Sequence, residues 1–210
     1  MKSDIFNQIK TGLKDSISFS KGDISLKTSD LTANQIKLLL VDVDGTLTNA
    51  GYNVFSDGSM SKQFNTRDFH GLSILHRKGV DIAFVTGANT GIEERQISRS
   101  APYAKCFCAV RDKLLFVKAY YLEHETNSIR YKWSEIAYIG DDTNDIPLLR
   151  EVGIAACPAD AEETVIKTIK ERDDSYVMSS RGGDRCVREF ANLLLSINGY
   201  NLEDEDFLSS

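Results

Sequence analysis

At 210 residues the chain has room for one substantial domain and little beyond it. Its 41% hydrophobic and 27% charged residues are those of an ordinary folded protein, which excludes a disordered or fibrous chain. The net charge of −6 argues against nucleic acid as a main partner, and no run approaches the ~20 apolar residues a membrane-spanning helix needs.

Cys106, Cys108, Cys157 and Cys186 lack paired CxxC spacing and a secretory context, so they read as mostly buried thiols of a reducing compartment rather than a zinc site. The N-terminus carries no signal-peptide apolar core, and the expectation is a cytoplasmic protein without membrane partners.

Residues 1–34 form an extension in which Ile5, Ile9, Leu13 and Ile17 recur every four residues, the pattern of a short amphipathic helix. The expected domain spans 35–200, and 201–210 form a tail. Leu38-Leu39-Leu40-Val41 opens the domain as a continuous apolar run, the mark of a strand buried on both faces of a parallel sheet. It leads into Asp42-Val43-Asp44-Gly45-Thr46. With a side-chain period of two, Asp42 and Asp44 share one side of an extended chain. Paired carboxylates at a strand end suit a divalent metal or divided acid and nucleophile roles, whereas a lone Asp-x-Asp is equally a charged strand-to-loop junction.

Residues 50–64 predict a hairpin: Tyr52, Val54 and Phe55, a turn at Ser56-Asp57-Gly58-Ser59, then Met60 to Phe64. A helix over about 69–78 carries Leu72, Ile74 and Leu75 and stops at Gly79. Strands follow at 80–86, 103–109, 136–140, 152–156 and 176–178. Helices begin near Thr90 and cover about 111–124, 143–151, 160–171 and 184–197, with Pro147 tolerated in a first turn. Strands alternate with helices and nothing repeats, which predicts a three-layer α/β sandwich around a Rossmann-like parallel sheet.

Three further stretches join Asp42-Val43-Asp44-Gly45-Thr46. They are Val85-Thr86-Gly87 at the end of the second strand of the core, Lys113 at a helix start, and Gly140-Asp141-Asp142-Thr143-Asn144-Asp145. The ordered set resembles the four signature motifs of the haloacid dehalogenase superfamily of phosphatases. That resemblance implies that Asp42 attacks phosphorus and forms an aspartyl-phosphate, and that Asp44 protonates the leaving oxygen and then activates water. It implies that Thr86, the Gly87 amide and Lys113 hold phosphoryl oxygens. Mg²⁺ would take the Asp42 carboxylate, the Asp44 backbone carbonyl and the Asp141 carboxylate, with Asp142 and Asp145 as auxiliary or supporting groups. The gaps Leu47 to Ile82 and Thr86 to Lys113 are too short for a large cap domain, so the 50–64 hairpin and the 181–189 segment are the parts expected to cover the site. His70, His76 and His124 form no metal-ligand pattern.

Phe64-Asn65-Thr66-Arg67-Asp68-Phe69-His70-Gly71 and Arg181-Gly182-Gly183-Asp184-Arg185-Cys186-Val187-Arg188-Glu189-Phe190 carry a closer likeness. Both are similar to segments of the 3-deoxy-D-manno-octulosonate 8-phosphate phosphatase family, which includes phosphatases of nine-carbon keto-sugar acid 9-phosphates. The likeness implies a phosphorylated sugar acid as substrate and a homotetramer in which neighbours complete each site. Asn65, Arg67, Arg95, Arg181 and Arg185 become substrate-binding candidates, because a sugar acid carries a carboxylate that arginine binds bidentately. The chain departs from the family pattern at Phe69, at Ala88 and at Arg185, which stands at a glycine position. Ala88 leaves the substrate's length open, while the ending Gly199-Tyr200-Asn201 leans to the nine-carbon branch. The competing readings are a catalytically silent assembly module of the same fold, a phosphatase of another small phosphorylated metabolite, and a receiver-type signalling domain. A receiver places its acidic pair after the first strand and its acceptor on a middle one, unlike this chain.

Overall fold

In a computed structural model the protein is described for residues 35–123 and 131–201. The extension at 1–34 with the amphipathic helix expected there, His124 and the tail beyond Asn201 lie outside the described residues. Six parallel strands form one sheet: β1 (Leu38–Val41), β4 (Asp81–Val85), β5 (Lys105–Phe107), β6 (Ile136–Ile139), β7 (Ile154–Cys157) and β8 (Ser175–Val177). Their order is β5-β4-β1-β6-β7-β8. The chain starts in the middle, builds outward to β5, then returns beside β1 and builds the other half. The sheet therefore reverses direction next to β1, and open α/β sheets bind ligands beyond the carboxyl ends of strands at such a point.

Every residue of β1 is buried, as its unbroken apolar run requires. Leu39 and Val41 join the core on one face, Leu38 and Leu40 the core on the other. Helices α1 (Thr66–Arg77), α2 (Ile92–Ser100) and α6 (Cys186–Ile197) cover the first face. Helices α3 (Lys113–Val117), α4 (Ile146–Glu151) and α5 (Glu163–Lys170) cover the second. This is the expected three-layer sandwich. Between β1 and β4 lie only a hairpin and α1, and between β4 and β5 only α2, so no cap domain is present among the described residues.

The hairpin is shorter than the apolar pattern implied. Strands β2 (Asn53–Val54) and β3 (Met60–Ser61) pair antiparallel, and the turn closes as expected through Gly58 and the Asp57 side chain, which accepts from the Ser59 amide. The helix expected at 69–78 begins earlier, at Thr66, because Asn65 caps it and accepts from the Arg67 amide at 3.0 Å. The helix expected at 111–124 runs as α3 and then widens through Lys118–Leu122. The thiols differ from expectation in part: Cys157 and Cys186 are buried, while Cys106 and Cys108 are half-buried with their sulfurs 3.7 Å apart.

Candidate active site

Register assembles the site. Val41 pairs with Phe84 on one side and Ile139 on the other, so Asp42, Thr86 and Asp141 leave adjacent strand ends together. The strand stops at Val41, and residues 43–47 turn tightly. Gly45 makes the turn with φ +89°, and a Cβ there would lie 1.9 Å from Asp141 Oδ2. Only glycine allows the two loops to approach this closely.

The two aspartates of the pair meet different lysines. Asp42 is 4% exposed, and its Oδ1 accepts from Lys113 Nζ at 2.5 Å. Lys113, 2% exposed, opens α3 behind the capping Asp112 and also donates to Asp145 Oδ1 at 2.6 Å and to the Tyr138 hydroxyl at 3.2 Å. Asp44 is half-buried instead, and its Oδ1 accepts from Lys62 Nζ at 2.5 Å.

Asp145 is fully buried and organises the loop over residues 140–145. Its Oδ2 accepts the amides of Asp141 and Asp142 at 3.0 and 3.1 Å, while its Oδ1 takes Lys113 and the Tyr138 hydroxyl. Asp142 is spent on the Thr143 amide at 2.6 Å. Thr46 donates to Asp141 Oδ1 at 3.1 Å.

Electrostatically the cluster is short of positive charge. Burial, together with the charges of Asp145 and Asp141, pushes the Asp42 carboxyl well up against the pull of Lys113. Burial and then Asp145 raise Asp141 to about 6. Burial works against the Lys113 ammonium, but Asp42 and Asp145 outweigh it and hold the group charged. Carboxylate oxygens of Asp42, Asp141 and Asp145 lie within 4.8 Å of one another. All the donors are hard oxygens, so a divalent cation such as Mg²⁺ fits the set and would relieve its surplus negative charge. Asp145 already uses both oxygens, which leaves Asp42 and Asp141 as the side chains able to hold the ion.

Thr86 is buried, and its Oγ1 accepts from the Ala88 amide at 3.0 Å, so its hydroxyl proton remains available to an incoming oxygen. At Gly87, which follows it, an added Cβ would meet the Val110 carbonyl oxygen at 3.7 Å. The substrate-binding candidates sit on different elements. Asn65 is a helix cap. Arg67 and Arg95 are exposed, Arg181 pairs with Asp160 at 3.0 Å, and Arg185 leans on its neighbour Asp184 at 3.7 Å. Among the described residues no ion pair joins these arginines to the acidic cluster. Arg185 adopts φ +71°, the conformation glycine prefers, which makes its departure from the family pattern a site of local strain. Phe69 is buried between Phe64 and Phe84, a packing role. His70 contacts Arg188 and His76 stacks on Tyr103.

Sequence reasoning missed Lys62 and Glu93. Both side chains are fully buried and joined by an ion pair next to Asp44. Neither sits in a motif, and partners that far apart in the chain leave no local signal. Bonds from Asp44 and Glu93 raise the Lys62 ammonium further, although burial acts the other way. Burial likewise opposes the ionised Glu93, and the Lys62 bond outweighs it and lowers the carboxyl.

The chain's similarities agree with this geometry. A haloacid dehalogenase-like hydrolase family model matches residues 116–175. The 3-deoxy-D-manno-octulosonate 8-phosphate phosphatase of Yersinia pestis is 30% identical over 78% of this chain and 81% of its own. A crystal structure of the Moraxella catarrhalis 3-deoxy-D-manno-octulosonate 8-phosphate phosphatase, with magnesium, phosphate and KDO, is 28% identical. It superposes with a TM-score of 0.70 over 83% of this chain and 93% of that one. The cobalt-bound deoxy-D-mannose-octulosonate 8-phosphate phosphatase of Haemophilus influenzae gives 0.69 at 26% identity, over 83% and 98%. The chain belongs to the 3-deoxy-D-manno-octulosonate 8-phosphate phosphatase family, and with it to the haloacid dehalogenase-like phosphoric monoester hydrolases.

Proposed function

We propose that the protein is a Mg²⁺-dependent phosphatase of a phosphorylated keto-sugar acid, 3-deoxy-D-manno-octulosonate 8-phosphate or a nine-carbon nonulosonate 9-phosphate, acting through an aspartyl-phosphate. The observation that carries this reading is the buried Asp42 carboxylate beside Asp141 and Asp145, with the Lys113 ammonium 2.5 Å from its Oδ1. Asp42 attacks phosphorus, and the bond to the leaving oxygen breaks as Asp44 donates its proton to that oxygen. Asp44 then takes a proton from the water that cleaves the aspartyl-phosphate, which restores both groups. Thr86 and the Gly87 amide donate to phosphoryl oxygens, and Lys113 fixes one oxygen of Asp42 and offsets charge in a dry pocket. Asp42, Asp141 and the Asp44 backbone carbonyl would hold Mg²⁺, which supplies Lewis-acid stabilisation of the transferring phosphoryl group.

The substrate reading rests on the relatives' activity and on the family segments around Asn65 and Arg181. A homotetramer follows from the same reading. The hairpin exposes Val54 and Phe55 at 70% and 54%, surface that a neighbouring subunit would cover, and among the described residues the candidate arginines form no ion pair with the acidic cluster of their own chain. A cytoplasmic location is proposed with it; among the described residues no helix is long and apolar enough to cross a membrane.

Catalytic efficiency on the eight-carbon and nine-carbon acid phosphates, on simple sugar phosphates and on an aryl phosphate, each with Mg²⁺, tests the proposal. A sugar-acid phosphate should lead the panel. Preference for an unrelated phosphate would reassign the substrate, and no phosphate release from any member would support the silent assembly module. Sedimentation tests the assembly: a fully active monomer would exclude neighbour-completed sites.

A further inference from the structure

Lys62 follows β3 at the base of the hairpin and has no part in the chemistry so far described. Its fully buried ammonium sits between two carboxylates. It donates to Asp44 Oδ1 at 2.5 Å and to Glu93 Oε1, and lies 4.5 Å from the centre of the Tyr52 ring. Glu93, in the first turn of α2, is anchored in turn by the Thr90 hydroxyl at 2.7 Å and 3.0 Å and by the Thr90 amide at 3.3 Å. The result is a chain of bonds from the start of α2 through the hairpin to Asp44. The Lys62 bond and the longer one from the Thr48 hydroxyl at 3.5 Å fall on the same oxygen, Oδ1.

Such a buried pair is a poor device for stability, since well-packed apolar side chains of similar volume generally do as well or better. Nor does Lys62 face solvent as a substrate anchor would. What it does contact is the group read above as the general acid and base. A carboxyl that must protonate a leaving oxygen works only when held within reach and orientation of that oxygen.

We infer that Lys62, clamped by Glu93, is a positioning residue that fixes the Asp44 carboxyl through Oδ1 and so presents Oδ2 for proton exchange with the leaving oxygen and then with water. The inference rests on the reading of Asp44 as acid and base. Lys62 keeps its own protons throughout; the proton given to the leaving group comes from Asp44 and is replaced from the attacking water. Because Lys62 belongs to the hairpin, proton transfer depends on the hairpin being seated over the site.

The test uses leaving groups of different basicity, because an alkoxide needs a proton as it departs and p-nitrophenolate does not. For Lys62→Met, kcat on the phosphorylated sugar acid is expected to fall about 10- to 100-fold, a fraction of the 10²–10⁴ that acid-base catalysis contributes, with KM within about threefold. On p-nitrophenyl phosphate the first-turnover burst of p-nitrophenolate, which precedes the water step that also uses Asp44, should slow by under about threefold. Glu93→Gln should show the same asymmetry more weakly, and Lys62→Arg should recover part of the activity. The double variant K62M/E93L replaces the whole pair by apolar side chains; it should fold with a melting temperature near the parent's and keep the leaving-group-dependent defect. A p-nitrophenolate burst slowed as much as the first-turnover release of the sugar acid in the folded double variant would overturn the inference, as would a change confined to KM. Asp44→Asn separates the two levels. If it shows the leaving-group dependence and Lys62→Met does not, only the positioning role fails. If Asp44→Asn shows none, the acid-base reading fails and the inference with it.

Discussion

Replacing Lys113 with methionine keeps the length of the side chain and deletes its charge. In the parent the ammonium bonds Asp42 Oδ1, Asp145 Oδ1 and the Tyr138 hydroxyl in a site open to almost no water. Removing one member of a buried ion pair typically costs about 3–5 kcal/mol, because its partner is left charged and unpaired. Here two carboxylates lose their partner, so about 4 kcal/mol is a fair expectation in metal-free buffer. With a urea m-value of roughly 2 kcal/mol/M, the denaturation midpoint should fall by roughly 2 M. Lys113 also repels any cation bound by the neighbouring Asp42 and Asp141. Lys113→Met should therefore be stabilised more by saturating Mg²⁺ than the parent is, even as kcat drops by about 10²–10³ through loss of a preorganised charge. Urea titrations with and without Mg²⁺, alongside phosphate release, read all three quantities. A metal-free stability within about 1 kcal/mol of the parent would refute the ion-pair reasoning, as would an unchanged response to Mg²⁺.

Asp42→Asn should abolish turnover and leave the fold intact, since an amide oxygen is a poor nucleophile; activity above about a tenth of the parent's would deny the role. Burial lifts the Asp68 carboxyl to about 6 from its ordinary 3.8, despite the Arg188 amide on Oδ1. The stability linked to its protonation is therefore present below pH 3.8 and is lost as the pH rises through 6. Asp68→Asn keeps an acceptor for that amide and should stabilise the protein by about 1–2 kcal/mol near pH 7.5, with a smaller gain near pH 4.5; urea denaturation with no pH-dependent difference would contradict this. Gly182→Ala would set a Cβ 1.9 Å from the Gly45 carbonyl oxygen and push on the loop that carries Asp44. It should cost about 1–3 kcal/mol in thermal unfolding and lower kcat with it; full activity would show that the two loops are not rigidly apposed.

Much of this was legible in the sequence because the signals are local. The apolar run into Asp42, the Thr86-Gly87 strand end and the Gly-Asp-Asp cluster each announce a buried strand with polar residues at its carboxyl end, and parallel pairing then brings the ends together. Asn65 caps α1, a role its position before an amphipathic run already signals. What stayed hidden depends on distant partners. Lys62 and Glu93 are separated by 31 positions, and Asp68 caps α6 from 120 positions away. Asp145 appeared as one acid among several, and only the fold shows that it is spent on two amides, a lysine and a tyrosine. The arginines were legible as charges, but whether they reach a pocket depends on neighbours that one chain does not encode locally.

The central claim is that Asp42 carries the phosphoryl group during hydrolysis of a phosphorylated sugar acid. It is tested most directly by acid-quenching the Mg²⁺-loaded enzyme within the first turnover of that substrate and mapping the phosphoryl mass by peptide mass spectrometry. The account predicts one phosphoryl group on the peptide containing Asp42, absent from Asp42→Asn. Turnover with no phosphoryl enzyme, or a phosphoryl group carried by another residue, would contradict it.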